Sequence, residues 1–190
     1  MDQGPAFPPD FRLILASQSP RRHSLLHDVG VPFTVVTSAA EERLAGGDAV
    51  SLAEANAVTK VENAALPAGL AAGAFVLGTD TLVTVSGRVM GKPATAGEAG
   101  AMLSALSGRT HQVVSGVALA RTAGWGSGPE ITQVRVASAV TDVVFLALEA
   151  AQIEAYVATG EWRGKAGAYA IQGAAGLFVS EVRGEYSNVV

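Results

Sequence analysis

Two adjacent arginines, Arg21 and Arg22, directly follow a Ser-Pro pair, and that placement suggests chemistry before any fold is considered. Ser19 suits a helix N-cap, and Pro20 suits the first helical position, where its missing N–H would be unsatisfied anyway. The arginines then fall in the first turn, where the helix dipole already concentrates positive charge and an acidic residue is expected. Two guanidinium groups there cost stability unless something negative docks against them. Amide groups, a dipole end and two guanidinium forks together make a phosphate site. The plainer alternative is a pair of solvated arginines. Asp80 is the second anomaly. It follows an apolar run at residues 74–77, the pattern of a fully buried strand, and acidic residues rarely occur there without a metal, a partner or a catalytic duty. An acid at the end of such a strand sits at the carboxyl edge, where α/β sheets expose reactive groups. The alternative is a strand that stops one residue earlier, with Asp80 capping a turn.

Other candidates carry less by themselves. Glu41 and Glu42 can offer oxygen ligands to a hard cation such as Mg²⁺ on a polyphosphate, although an adjacent acidic pair in a loop is more often solvated. Only three lysines, Lys60, Lys92 and Lys165, stand against ten arginines, which marks them as positions where a point charge is wanted. Gln172 in AIQG has a donor and an acceptor among glycines and can meet the flat edge of a base, or be an ordinary loop residue. GRVMGKP and GEWRGKA place three residues between glycines where a P-loop has four, and neither continues with Ser or Thr. His23 and His27 have the spacing of two zinc ligands but lack the Glu of a metalloprotease helix, and His111 is the only other histidine, so both read as surface residues. No Ser-His-Asp ordering competes with these readings.

The elements that must position these groups follow from periodicity and punctuation. Residues 13–15 read as a buried strand, 16–18 as a turn, and Pro20 onward as a helix with Leu25, Leu26 and Val29 on its apolar face, stopped by Gly30. Residues 33–37 read as a strand. Ser51 and Glu54 make a capping box for a helix that carries Lys60 and runs to Leu66. After the strand at 74–77, residues 82–85 and 88–90 form a hairpin about Ser86-Gly87, followed by the loop Gly91-Lys92-Pro93. Thr95 and Glu98 cap a helix ending at Gly108. Residues 112–121 and 131–148 are two long antiparallel strands separated by the turn AGWGSGP. A helix at 149–158, a Gly-rich stretch and a strand at 177–182 complete the chain. Helices alternating with strands and hairpins give one α/β domain with a mixed sheet.

Composition narrows the function classes. At 190 residues the chain is one domain with ample core, 49% apolar and only 16% charged. No apolar run is long enough to span a bilayer. The start, MDQGPAFPPD, is acidic and proline-rich, unlike a signal peptide, so a cytoplasmic protein with no membrane partner is expected. The absence of cysteine excludes disulfides, thiolate metal sites and a cysteine nucleophile. A net charge of −4 argues against nucleic acid as a partner, which needs a basic face.

In order and spacing, the segments LILASQSPRR, Glu41-Glu42, Lys60, GTDTLV, GKP, MLSALSGRTHQVVSGVAL, KAGAYAIQG and GEYSNVV resemble the Maf-like nucleotide pyrophosphatases, a family named after a septum-formation inhibitor. The resemblance spans Leu13 to Val190. It implies an elongated, twisted mixed sheet flanked by helices around a nucleotide-binding cleft, as in inosine triphosphatase-like folds. It also implies hydrolysis of nucleoside triphosphates to the monophosphate and pyrophosphate, by attack of water on the α-phosphorus with Mg²⁺ or Mn²⁺. Asp80 matches the family's proton acceptor. Arg21, Thr81 and Gln172 match positions tied to choice of nucleotide, and all three are the residues of the branch acting on dTTP and UTP. Ser17, Arg22, Glu42, Lys60 and Lys92 match polar positions of the cleft, with Glu42 and Asp80 as the metal's protein ligands. A homodimer is a further implication. Residues 1–11 have no counterpart and are expected to be a flexible extension. The family's final helix, beyond SNVV, is expected to be absent. The competing function is a nucleotide-binding regulator of septum formation without turnover, for which a carboxylate beside a triphosphate would only add repulsion.

Overall fold

The protein is described by a computed structural model over residues 7–124 and 129–190. Residues 1–6 of the expected extension and most of the AGWGSGP turn therefore lie outside the described residues.

Leu13–Leu15 (β1) has no polar face to turn outward, and all three residues are buried. It pairs in parallel with Thr34–Val35 (β2) on one side and with the start of Phe75–Val85 (β3) on the other. β3 then turns through Ser86 and Gly87, both at positive φ as a two-residue hairpin requires, and returns antiparallel as Arg88–Met90 (β4). The long strands Thr110–Gly124 (β5) and Pro129–Phe145 (β6) follow, and Val179–Arg183 (β7) pairs antiparallel with the end of β6. The result is a seven-stranded mixed sheet in the order β2-β1-β3-β5-β6-β7, with β4 on β3.

Among the described residues five α-helices accompany it: Pro20–Asp28 (α1), Ala49–Glu62 (α2), Ala96–Leu106 (α3), Ala150–Thr159 (α4) and the short Tyr186–Val189 (α5). Thr95 caps α3 by accepting from the Glu98 amide at 3.1 Å, and Gly160 ends α4 in the left-handed conformation that only glycine adopts cheaply. Three expectations about the helices change, and the strand expected at 33–37 shortens to Thr34–Val35. α2 is capped by Asp48, whose Oδ1 accepts from the Val50 and Ser51 amides at 3.0 Å each, and not by Ser51. α2 also stops at Glu62, four residues before Leu66. The stripe expected on α1 is not buried: Leu25 and Val29 are exposed, and the helix contains no buried residue. A helix so weakly anchored by packing is held at its N-terminal turn instead.

The contacts divide the chain into two compact units. One takes the chain up to Glu42 together with Glu54–Asp80 and Gly116–Ala137. The other takes Arg43–Ala53, Thr81–Ser115 and Ser138–Val190. The first has a core of Ile14, Ala57, Val61, Val76, Ala118 and Ala120, against which Val36 and Leu66 pack. Phe7 and Phe11, from the segment expected to be a loose extension, stack at 4.5 Å, and Phe11 lies 5.9 Å from the Phe75 ring. The second unit has a larger core, in which Leu103 and Leu106 of α3 and Ile153 and Tyr156 of α4 meet Val143, Phe145 and Trp162. Among the described residues no helix is long and apolar enough to cross a membrane.

Candidate active site

β3 does not stop before Asp80, as a strand at 74–77 would require; it is a single strand of 11 residues. The carboxyl edge nevertheless runs through this point. The parallel pairing of β1 with β3 ends at Leu15 and Leu77, and Asp80 lies three residues beyond it, on the face shared with Val76 and Gly78. That face meets α2, and Gly78 sets how closely. A Cβ at position 78 would lie 2.7 Å from Val61 Cγ2 and would collide with the carbonyl oxygen of Ala57. With glycine there, the helix backbone rests directly on the strand.

This close approach is what lets Asn56 and Lys60, four residues apart on one face of α2, reach Asp80. The Asp80 side chain is 1% exposed. Its Oδ1 accepts from Lys60 Nζ at 2.6 Å and its Oδ2 from Asn56 Nδ2 at 2.8 Å. Lys60 Nζ also donates to Glu42 Oε1 at 2.9 Å and to the Thr79 carbonyl at 3.2 Å, so three acceptors meet its three N–H groups. Each carboxylate oxygen of Asp80 can take one further bond. Its plane is fixed from two sides while acceptor capacity remains for a water.

Ser17 organises the neighbouring turn. Its Oγ accepts from Arg22 Nη1 at 2.9 Å and from the Ser19 amide at 3.3 Å, and its carbonyl meets His23 Nε2 at 2.9 Å. His23 is thus a half-buried anchor, its ring tilted against that of Phe33 with centroids 5.9 Å apart, whereas His27 is exposed. Ser19 stands at the N-cap in an extended conformation, but its side chain makes no capping bond, and the first turn of α1 contains no acid. Burial lowers the guanidinium pKa of both arginines from the ordinary value. For Arg22 the charges of Asp80 and Glu42 act against that shift, and Arg21 acts with it. A half-desolvated arginine pair at an uncapped helix N-terminus is the arrangement that favours an anion.

The remaining candidates belong to the second unit. Thr81 Oγ1 and Ser115 Oγ are 3.0 Å apart on neighbouring strands. Lys92 is exposed on its loop, and the preceding Gly91 carbonyl accepts from the Gly167 amide at 3.1 Å. Gln172 is exposed on a turn that three groups hold in shape. Tyr169 hydroxyl meets His111 Nε2 at 2.9 Å, the Ala170 amide donates to Tyr156 hydroxyl at 3.2 Å, and the Ala174 amide donates to Glu161 Oε2 at 3.0 Å. Lys165 stands at the start of that turn, and its Nζ donates to the Arg163 carbonyl at 3.3 Å.

His111 gives this support a pH dependence. It is buried edge-on between Phe145 and Tyr169, and burial pulls its pKa from 6.5 to about 4, with the Arg109 carbonyl and Asp142 acting weakly in the opposite sense. Between those values the unfolded chain binds a proton that the folded chain refuses, so stability falls as pH drops through this window. The expected loss between pH 7 and pH 5 is about 2 kcal/mol, or roughly 4–8 °C in melting temperature. His111→Phe keeps the ring contacts and should lower this pH dependence by that amount. Thermal unfolding of both proteins at the two pH values checks it, and an unchanged pH dependence would remove His111 as the cause.

The donor set does not fit a resident divalent cation. Glu42 and Asp80, the two expected ligands, both face one ammonium group, and among the described residues no three His, Cys, Asp or Glu side chains gather to hold a metal. Asn56, Gly78 and Glu161 are among the contributors that escape the sequence reading. Asn56 had a signal available, because asparagine is a poor interior helix residue and here stands four positions before Lys60 in an alanine-rich helix.

The family model described as Maf-like protein matches residues 12–190. A dTTP/UTP pyrophosphatase from Moorella thermoacetica is 47% identical over 186 residues, covering 94% of this chain and 88% of the relative. One from Thermococcus gammatolerans is 45% identical over 181 residues, covering 94% and 89%. A solved structure of a HAM1 protein from Coxiella burnetii is similar at a TM-score of 0.41 and 18% identity, covering 71% of this chain and 73% of that one, a likeness too slight to argue from.

Proposed function

The chain belongs to the Maf-like family, and we propose from that membership that it hydrolyses dTTP and UTP to the monophosphate and pyrophosphate. The observation that carries the chemistry is Asp80, a buried carboxylate fixed from both sides by Lys60 and Asn56. A regulator that only binds nucleotide has no use for such a group, which would repel the phosphates. In this reading the N-terminal turn of α1, with Arg21 and Arg22, takes the triphosphate, and Lys92 adds a point charge by its motif position. Asp80 orients a water and accepts its proton as the water attacks the α-phosphorus. The bond to the bridging oxygen breaks, pyrophosphate leaves, and the arginines stabilise the charge that develops on it. Gln172 and Thr81, with Arg21, are assigned by motif to the pyrimidine edge. A site built to hydrogen-bond an edge rejects bases that leave its groups unpaired.

The reading places the enzyme with the cytoplasmic nucleotide pool. It is tested by a panel of nucleoside triphosphates with Mg²⁺ or Mn²⁺, followed for pyrophosphate and orthophosphate separately. Pyrophosphate with dTTP and UTP as preferred substrates is expected; orthophosphate as the direct product would move the attack to the γ-phosphorus. The support of Gln172 gives a second test. Glu161→Ala removes the acceptor of the Ala174 amide and loosens the turn without touching Asp80. The ratio of kcat/KM for dTTP over CTP should fall about three- to tenfold with little change in kcat for dTTP. An unchanged ratio would show that the turn does not read the base.

A further inference from the structure

We infer that Lys60 is the resident counter-ion of the Glu42–Asp80 pair. In the nucleotide-free protein its ammonium occupies the position a divalent cation would otherwise take, and such a cation reaches this site only on the phosphates of a nucleotide.

The geometry carries the first half. Lys60 Nζ lies 2.6 Å from Asp80 Oδ1 and 2.9 Å from Glu42 Oε1, bridging the two carboxylates as a metal ion would bridge them. The ammonium is also bound by the Thr79 carbonyl, so it is seated by the strand itself and not merely by two mobile acids. The lysine side chain is 11% exposed, and a cation arriving from solvent would have to displace a buried, fully hydrogen-bonded group. Asp80 Oδ2, the oxygen turned away from Lys60, is already used by Asn56.

Charge carries the second half. Two carboxylates are balanced by Lys60 and by Arg22, which lies in the field of both, and Arg21 adds a further positive charge beside Arg22. Such a cluster attracts a triphosphate and resists a bare divalent cation, because each positive charge within several Å opposes it. Docking a triphosphate reverses the balance. The cluster becomes strongly negative, and phosphate oxygens supply ligands that the protein alone does not offer. Mg²⁺ ordinarily binds through one or two carboxylates together with substrate phosphates, not in an all-protein cage.

The test needs neither nucleotide nor turnover, so its failure and the failure of the proposed activity are distinguishable. Mn²⁺ is titrated into the nucleotide-free protein, and free Mn²⁺ is read by its electron paramagnetic resonance signal. Wild type should show no stoichiometric site up to about 1 mM. Lys60→Met removes the ammonium and should create one site per chain, bound at least about tenfold tighter than in wild type. Adding Glu42→Gln to Lys60→Met should abolish that site. A wild-type protein that binds one Mn²⁺ below that limit and loses it in Glu42→Gln would overturn the inference. So would a folded Lys60→Met, verified by circular dichroism, that binds Mn²⁺ no better than wild type. If Lys60→Met does not fold, the wild-type and Glu42→Gln titrations decide the question, since tight binding lost with Glu42 contradicts it and no binding upholds it.

Discussion

Asp80→Asn should abolish most pyrophosphate release while dTTP still binds. The substitution keeps the side chain's shape, so the packing of β3 against α2 is not disturbed. It removes the proton acceptor, and loss of a positioned general base lowers kcat by about 10²–10⁴-fold. Two donors, Lys60 Nζ and Asn56 Nδ2, now face one oxygen and one amide group, so one donor–donor contact replaces a hydrogen bond. An unsatisfied buried donor costs about 1–3 kcal/mol, which lowers the melting temperature but leaves a folded protein to assay. Removing a negative charge beside the arginines should leave triphosphate affinity equal or improved, which isothermal titration calorimetry measures. Turnover equal to wild type would exclude Asp80 as the base.

Gly78→Ala should damage both stability and turnover, although position 78 takes no part in the reaction. The added Cβ meets a backbone carbonyl, which cannot rotate away, and a Val61 methyl at 2.7 Å. Relief requires α2 to lift from β3, and overpacking of this kind costs about 1–3 kcal/mol. For a chain of this size that is a fall of roughly 2–12 °C in melting temperature. Lifting α2 also withdraws Asn56 and Lys60 from Asp80, so kcat should fall about tenfold or more even at a temperature where the variant is fully folded. Gly87→Ala is the control. It introduces strain at a positive φ in the β3–β4 turn, where nothing lies within 4 Å, and should lower stability without changing kcat. If Gly78→Ala retains wild-type kcat, the helix contact does not set the geometry of the carboxylate.

The order of elements was readable because most of them advertise themselves. Leu13–Leu15 is apolar throughout, Thr95 and Glu98 bracket the start of α3, and Gly160 stops α4. Boundaries failed where a neighbour decides them. β3 continues past residue 77, where its pairing with β1 ends, because β5 flanks it on the other side, a neighbour that periodicity near Asp80 does not record. The cap of α2 went to Asp48 because its carboxylate reaches two amides, while Ser51, inside the helix, donates its hydroxyl to that same carboxylate. α1 lacks the buried face its leucines suggested, since nothing in a local pattern says whether a partner surface exists.

The site shows the same division. The charge anomaly of Arg21 and Arg22 and the misplaced acid Asp80 are visible in residue types alone. The bridge from Lys60 to Glu42 and Asp80 is not, because it joins three segments separated by 18 and 20 residues. Gly78 reads as a weak point in a strand until the helix above it is known. Only then does its missing side chain explain how Asn56 and Lys60 reach the carboxylate.

Hydrolysis of dTTP in water enriched in oxygen-18 tests the central claim most directly. If Asp80 directs water onto the α-phosphorus, the label appears in the phosphate of the dTMP product and the pyrophosphate stays unlabelled. Label in the pyrophosphate, or in orthophosphate, would place the attack elsewhere and contradict the account.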